Sequence, residues 1–187
     1  TAPDNSNFHY KPLRWGIDSL YLSYPGELSV ERLDELQRLK KLAQGPDHEA
    51  AKAQILLDGH VFEVKDKSTG MFAFTLVDDA YMIRLSAGKS KKLPMAFVQI
   101  GCRYLAHKSP QATESELRAI LRSLGAISPP KVSRVDLYID FASTVNMEGW
   151  NREAWVTKAR AVNQYADGKD FTGWTIGGGA MMCRLYN

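Results

Sequence analysis

The chain has 187 residues, of which 44% are hydrophobic and 24% are charged, a balance typical of a globular protein with a sizeable core. Its formal net charge of +3 permits a nucleic-acid partner but is too small to identify one. Cys102 and Cys183 form no C-x-x-C pair, which argues against disulfides and thiolate zinc sites and favours a reducing, cytoplasmic compartment. No apolar run approaches the length of a membrane span, so we expect no membrane partner.

Hydrophobic periodicity predicts a mixture of strands and helices without a regular β-α-β alternation. This pattern predicts an α+β fold, a mainly antiparallel sheet with helices packed on one face. We expect one domain over residues 1–187, truncated at its C-terminus. The predicted strands cover residues 15–24, 60–65, 71–77, 80–86, 94–105, 131–141, 171–176 and 180–187. The predicted helices cover residues 29–44, 47–57, 113–124 and 151–165, the third of them starting at a Thr-x-x-Glu capping box.

The segment "RVDLYIDF", residues 134–141, alternates polar and apolar residues as a half-exposed strand does. Its polar face carries Arg134, Asp136, Tyr138 and Asp140. The two aspartates lie roughly 13 Å apart along an extended strand, so they cannot both ligate one ion unless the strand bends or bulges. Charges that simply face water explain the pattern as well, although two aspartates on one strand face are unusual.

The last residues, "AMMCRLYN", predict a strand directly after three glycines. Arg184 and Tyr186 would then project from the same face. An arginine can bind a phosphate in bidentate fashion, and a deprotonated tyrosine can act as a nucleophile. An ordinary surface pair at a sheet edge is the alternative.

Two further patterns have weaker implications. Lys89, Lys91 and Lys92 form the densest basic cluster, either a solvated loop or a contact to DNA phosphates. The segment "AGKSKK" lacks the first glycine of a phosphate-binding loop, and the histidines form no zinc-binding pair.

Taken in order along the chain, these pieces resemble the replication initiation factor family, the rolling-circle initiators of phages and plasmids and the related relaxases of integrative elements. The aromatic-rich segment "WGIDSLYLSY" and the segment "VQIGCRYL" match early parts of the family pattern. The pattern R-x-D-x-x-x-D is matched by Arg134, Asp136 and Asp140. A glycine-rich turn followed by R-x-Y-[ND]-K is matched through Asn187. The chain departs from the family where it has "GGA" in place of G-S-R, and the expected final lysine lies beyond Asn187.

The resemblance implies a protein that nicks one DNA strand at an origin and forms a 5′-phosphotyrosine. Tyr186 would be the nucleophile and Arg184 would position the phosphate, while one or both of Asp136 and Asp140 would help to hold Mg²⁺ or Mn²⁺. The implied partners are single-stranded origin DNA and a host or element helicase. The candidate DNA contacts are Arg134, Tyr138, Lys89, Lys91, Lys92 and Arg103.

Two other functions are compatible with the same residues. The departure in the glycine turn and the truncated end favour a non-catalytic module that binds single-stranded DNA. A protein-interaction α+β domain with solvent-facing charges is the third candidate, and it predicts no salt-dependent affinity for single-stranded DNA.

Overall fold

A computed structural model describes residues 10–88 and 92–186 of the chain. In its first half the elements are β1 (Tyr10–Tyr24), β2 (Gly26–Leu28), α1 (Val30–Ala43), α2 (Asp47–Ala50), β3 (Gln54–Leu57), β4 (His60–Val64), β5 (Phe74–Val77) and β6 (Tyr81–Leu85). They continue with β7 (Ala96–Ile100), α3 (Cys102–Leu105), α4 (Pro110–Arg122), β8 (Gly125–Ile127), β9 (Lys131–Ser143), β10 (Val162–Asp167), β11 (Asp170–Gly178) and β12 (Met181–Tyr186).

The largest sheet has seven strands in the order β3-β4-β5-β6-β7-β1-β9, so β9 is an edge strand. The pairings from β3 through β7 to β1 are antiparallel. The predicted α+β class is therefore confirmed. The chain divides into two compact units, residues 15–139 and residues 1–14 with 140–187. One domain over residues 1–187 stays a prediction.

In the unit of residues 15–139, residues of β1 and of β3 to β7 point into one core. Leu22, Val98 and Ile83 are cross-strand partners on β1, β7 and β6, and all are buried. The amphipathic helices α1 and α4 add Leu36 and Leu117 to the same core. Because antiparallel partners share a sheet face, the helices lie on the side of Leu22, and the residues between these positions point to the opposite side.

In the other unit, β10, β11 and β12 form a three-stranded antiparallel sheet. Trp174 of β11 is buried, and its indole nitrogen donates to the Met147 carbonyl at 3.0 Å. The ring of Trp155 lies 5.6 Å from that of Trp174, and Trp150 packs edge-on against Trp155. Clustered indoles thus supply much of the apolar burial behind this small sheet.

The helix predicted over residues 151–165 is wrong. The structure has one 3-10 turn at Arg152–Ala154, followed by β10. Asp167 pairs with Asp170 across the turn, and Gly168 has a positive φ of 62°. Gly168 and Lys169 form the two-residue turn. A glycine at the first turn position favours such a hairpin, and this local signal outweighs the weak helical pattern before it.

The helix predicted over residues 47–57 is wrong in its second half for the same reason. It ends at Ala50, and β3 follows it. Asp58 and Gly59 have positive φ angles of 47° and 84°, and they are the two turn residues of an Asp-Gly hairpin that connects β3 to β4. Cross-strand pairing buries Ile55 and Leu57 in the core.

Two other predicted boundaries are corrected. The strand predicted over residues 94–105 stops at Ile100, because α3 begins after Gly101. The helix predicted from Thr113 begins earlier, at Pro110, with the Ser109 side chain accepting from the Ala112 amide at 3.2 Å. No helix in the described residues is long and apolar enough to cross a membrane.

Candidate functional site

The two candidate catalytic side chains share one face of β12. Arg184 pairs with Thr175 and Tyr186 pairs with Gly173 on β11, so the two side chains project to the same side. Tyr186 is 73% exposed, and Arg184 is also exposed. Neither side chain makes a hydrogen bond or an ion pair with any residue in the described ranges. Both groups are therefore available to a ligand.

The position opposite Tyr186 is a glycine for a structural reason. Gly173 has a φ of 145°, and a Cβ atom there would lie 1.9 Å from the Leu185 carbonyl oxygen. A larger residue would have to displace the backbone of β12. Since glycine has no side chain, nothing from position 173 lies beside the Tyr186 ring on the sheet face.

The carboxylate of Asp136 is held by neighbours on β9 and β1. Arg134 contacts it through Nε at 2.9 Å and through Nη2 at 2.7 Å. The Ser19 hydroxyl donates to Asp136 at 2.7 Å. The bond to Asp136 raises the pKa of Arg134 above its ordinary value. Arg134 and Asp136 therefore form a bidentate ion pair.

Asp140 forms an ion pair with Arg14, whose Nε lies 2.5 Å from Oδ2. Carboxylate oxygens are suitable donors for Mg²⁺ or Mn²⁺. In the described ranges, however, no three His, Cys, Asp or Glu side chains come together as a metal site, and both aspartates contact an arginine. Within the described ranges, the candidate oxygen donors are therefore these two carboxylates, each in an ion pair with an arginine.

The candidate DNA contacts lie in different parts of the chain. Tyr138 lies on β9 with Arg134, and its ring packs over Gly16, where an added Cβ would be 3.1 Å from the ring. Lys92 is exposed, whereas Lys89, Lys91 and Asn187 lie outside the described residues. Arg103 lies on α3 and lines a separate cleft of about 640 Å³ with His60 and Asp78.

His60, Asp78 and Tyr104, which line that cleft, also belong to a polar cluster around Glu116 of α4. The Glu116 carboxylate accepts hydrogen bonds from Tyr81 at 2.7 Å, from Tyr104 and from Lys108. His60 lies 3.3 Å from Glu116 through Nε2 and 2.7 Å from Asp78 through Nδ1. Each of these polar groups has a partner inside the cluster, which connects α4 to β4 and β6.

The environment of Glu116 shifts two pKa values strongly. Burial by itself would raise the pKa of Glu116, but hydrogen bonds from Lys108, Tyr104 and Tyr81 outweigh it and lower the pKa to about 2. Burial, together with the bond to Glu116, raises the pKa of Tyr81 well above its ordinary value. With these shifts, Glu116 is charged and the neighbouring Tyr81 is neutral near neutral pH.

The apolar face of β9 is exposed as well as its polar face. Val135, Leu137 and Ile139 are all exposed, and no β9 residue belongs to the buried core of the described structure. In the half-exposed strand that the sequence pattern indicates, these apolar side chains would be buried in the core. Because β9 is the edge strand of the sheet, it lies beside the strands that carry the core, and its own apolar side chains lie outside that core.

Comparison of the chain with protein-family models, curated proteins and solved structures found no match. The functional hypotheses therefore depend on the residues themselves. The sequence analysis overlooked Tyr21, Phe72, Arg84 and Phe97, which lie together on the sheet face opposite the helices. Their signal was the alternation of β1 and β7, in which the residues between core positions include Tyr21 and Phe97.

Proposed function

We propose that this protein nicks one strand of DNA through Tyr186, leaving a 5′-phosphotyrosine and a free 3′-hydroxyl. The observation that supports the proposal most strongly is the pair of unpartnered side chains on β12. Arg184 and Tyr186 lie on one exposed face, and Tyr186 is opposite a glycine. A phosphate-binding cation beside an accessible phenol is what a tyrosine nucleophile requires. The order of the sequence motifs, which resembles that of rolling-circle initiators, agrees with this chemistry.

The reaction exchanges one phosphodiester bond for another. The Tyr186 Oη atom bonds to phosphorus while the bond from phosphorus to the 3′-oxygen breaks. The phenol loses one proton to solvent, and the departing 3′-oxygen takes up one. No oxidant or reductant is needed, and the phosphotyrosine conserves the bond energy for later rejoining.

Arg184 has the role of holding the scissile phosphate. Its guanidinium is on the same sheet face as Tyr186, two residues away, and no carboxylate of the described residues pairs with it. A planar guanidinium binds two phosphate oxygens at once and offsets the charge that develops on them in the transition state.

Mg²⁺ or Mn²⁺ is part of the proposal as the cofactor. When bound, such an ion would neutralise charge on the phosphate. The support is chemical, because Asp136 and Asp140 offer oxygen donors. Both carboxylates have arginine partners, so no step is assigned to the ion.

Covalent adduct formation tests the proposal. Single-stranded DNA from the flanks of the gene is incubated with the protein and Mn²⁺ or Mg²⁺, and the products are separated on a denaturing gel. We expect a metal-dependent shifted band that Tyr186→Phe abolishes. Tyr165→Phe is the matched control: this residue pairs with the same Gly173 and is 51% exposed, so its loss should leave the band unchanged. A band that persists in Tyr186→Phe would refute the proposal.

One observation favours the second candidate, a module that binds single-stranded DNA without cutting it. Among the residues that the structure describes, Asp136 and Asp140 are each paired with an arginine and are not grouped with a third ligand. This candidate predicts salt-dependent binding of single-stranded DNA and no adduct under any metal condition.

A further inference from the structure

Aromatic and arginine side chains form a row across the face of the seven-stranded sheet that points away from the helices. Phe97 of β7 and Arg84 of β6 are cross-strand partners, and Tyr21 of β1 lies on the same face, since its partner is Gln99 of β7. Phe72, just before β5, packs against Phe97, and Arg134 of β9 lies over Tyr21. We call these five residues the aromatic row.

Contacts between the rings make the row continuous. The Tyr21 and Phe97 centroids are 5.9 Å apart with the rings nearly perpendicular, and those of Phe72 and Phe97 are 6.0 Å apart. Arg84 lies 5.8 Å from the Phe97 centroid, and Arg134 lies 5.4 Å from that of Tyr21. Tyr21, Phe72 and Phe97 are half-buried, although the strands they occupy or adjoin have their core residues on the other side.

The charge of the row is positive and only partly neutralised. Arg84 donates to Gln99 at 3.2 Å and contacts the Met82 sulfur, but no carboxylate in the described ranges pairs with it. Its Nε atom is buried without a hydrogen-bond partner. Leaving such a donor unsatisfied is unfavourable. Arg134 shares its charge with Asp136. An anionic partner would complement this surface.

The spacing of the row fits a single nucleic-acid strand. Neighbouring strands of a sheet are about 4.8 Å apart, so the row from β6 to β9 spans roughly 14 Å, enough for two or three unstacked bases. Ring faces and guanidinium planes bind bases of any sequence by stacking, and the arginines attract the phosphates. Duplex DNA does not present its base faces, and an acidic peptide has few planar groups to stack.

We propose that the aromatic row binds two or three consecutive bases of single-stranded DNA, without sequence preference. The inference rests on the proposed function for its ligand, DNA, and adds a binding surface that involves neither Tyr186 nor Arg184. The affinity of this surface requires neither the nucleophile nor a metal ion.

Fluorescence anisotropy of the full chain with a labelled twelve-residue oligothymidylate, in EDTA, tests this surface. We expect Phe97→Leu and Tyr21→Leu each to weaken binding about tenfold, since a stacked base contributes about 1–3 kcal/mol. Arg84→Ala should weaken binding and reduce its salt dependence. Arg38→Ala is the matched control: it removes the same charge from an exposed position on α1 and should leave the affinity within twofold. A duplex of the same length should bind at least tenfold more weakly.

A second measurement removes the risk that a variant misfolds. An oligonucleotide with 5-iodouracil is photocrosslinked to the unmodified protein, and the linked peptides are identified by mass spectrometry. Crosslinks at Tyr21, Phe72 or Phe97 support the inference, whereas crosslinks confined to other segments overturn it. Unchanged affinity in folded Phe97→Leu and Tyr21→Leu variants overturns it as well.

The outcomes for the row and for nicking are separable. Binding that depends on the row but never gives an adduct refutes the nicking function and leaves the row intact. An adduct that depends on Tyr186 and forms equally well in the row variants refutes the row and leaves nicking intact.

Discussion

Two groups of polar side chains in this molecule differ in whether their hydrogen-bonding groups have partners within the described residues. Around Glu116, every polar group has a partner within the cluster, and the cluster connects a helix to the large sheet. On β12, Arg184 and Tyr186 are exposed and have no partner among the described residues. The first arrangement resembles an active site in its composition, with histidine, carboxylates and tyrosines in a cleft, yet its hydrogen-bonding capacity is used internally.

From this difference we propose that saturation of hydrogen bonds distinguishes structural from reactive polar groups in this protein better than residue type does. The hydrogen bonds that Glu116 accepts lower its pKa to about 2, so it stays ionised and cannot take up a proton near neutral pH. We therefore propose that the Glu116 cluster stabilises the fold and that the β12 pair carries the chemistry. The substitutions below change either the Glu116 cluster or the β12 pair and the glycine opposite it.

The largest effect is expected on the β12 side. Replacing Arg184 with Ala should slow adduct formation a hundred- to a thousandfold, because loss of one donor to transition-state charge costs about 3–4 kcal/mol. Single-turnover gel kinetics measures this rate. The unfolding free energy should change by less than about 0.5 kcal/mol, since this exposed side chain has no partner to lose. A rate within threefold of the unmodified protein would remove Arg184 from the mechanism.

The opposite result is expected for Glu116. Replacing it with Ala leaves the Tyr81 hydroxyl and the Lys108 ammonium without their acceptor, and should lower the unfolding free energy by about 3 kcal/mol. Urea denaturation provides the measurement. Glu35→Ala is the control, because its bond to Arg32 is a partly exposed pair within one helix turn and costs below about 1 kcal/mol. A folded Glu116→Ala protein that no longer binds DNA would contradict a purely structural role.

The pH dependence of stability should follow the pKa of Glu116. Its folded-state value of about 2 lies below the ordinary 4.5, so the unfolded chain binds more protons between these values. Stability from this group is complete above pH 4.5 and is lost as pH falls through 2, by about 3 kcal/mol. Urea denaturation at several pH values should show the difference between unmodified protein and Glu116→Gln shrinking across this window. A difference independent of pH would disprove the assignment.

A smaller effect is expected at the glycine opposite Tyr186. Gly173→Ala should destabilise the unit that contains β10 to β12 by about 2 kcal/mol, because alanine is strained at a positive φ and its Cβ would approach the Leu185 carbonyl. Hydrogen exchange of the amides in residues 162–186 reports this loss. Gly178→Ala is the control, since its φ is not positive and no atom lies within 4 Å of the added Cβ. Equal protection in both variants would count against the proposed strain.

The sequence predicted the fold where a hydrophobic period was long or a cap was clear. The stripe of leucines after Ser29 predicted α1, and the alternation through Leu20 and Leu22 predicted most of β1. The predictions over residues 47–57 and 151–165 were wrong because the helical period was given priority over Asp-Gly dipeptides. Asp58-Gly59 and Gly168-Lys169 are the turn residues of two hairpins, and glycine-containing turns of this kind can be predicted from the sequence alone.

For the candidate site, only the arrangement of residues that are close in the sequence could be predicted. That Arg184 and Tyr186 share a face follows from the period of a strand. The ion pair between Arg14 and Asp140 was not predictable, because it joins residues that lie far apart in the sequence. The same holds for the aromatic row, which depends on the register that brings Phe97 beside Arg84.

The most direct test of the comparison is to identify the residue that carries DNA after the reaction. The protein is incubated with metal and single-stranded DNA from the flanks of its gene, and is then digested with nuclease and protease. Mass spectrometry then locates the remaining nucleotide. A nucleotide on the Tyr186 peptide is the predicted result. A nucleotide on Tyr81 or Tyr104 of the Glu116 cluster would show that saturated hydrogen bonds do not exclude reactivity, and would contradict the account.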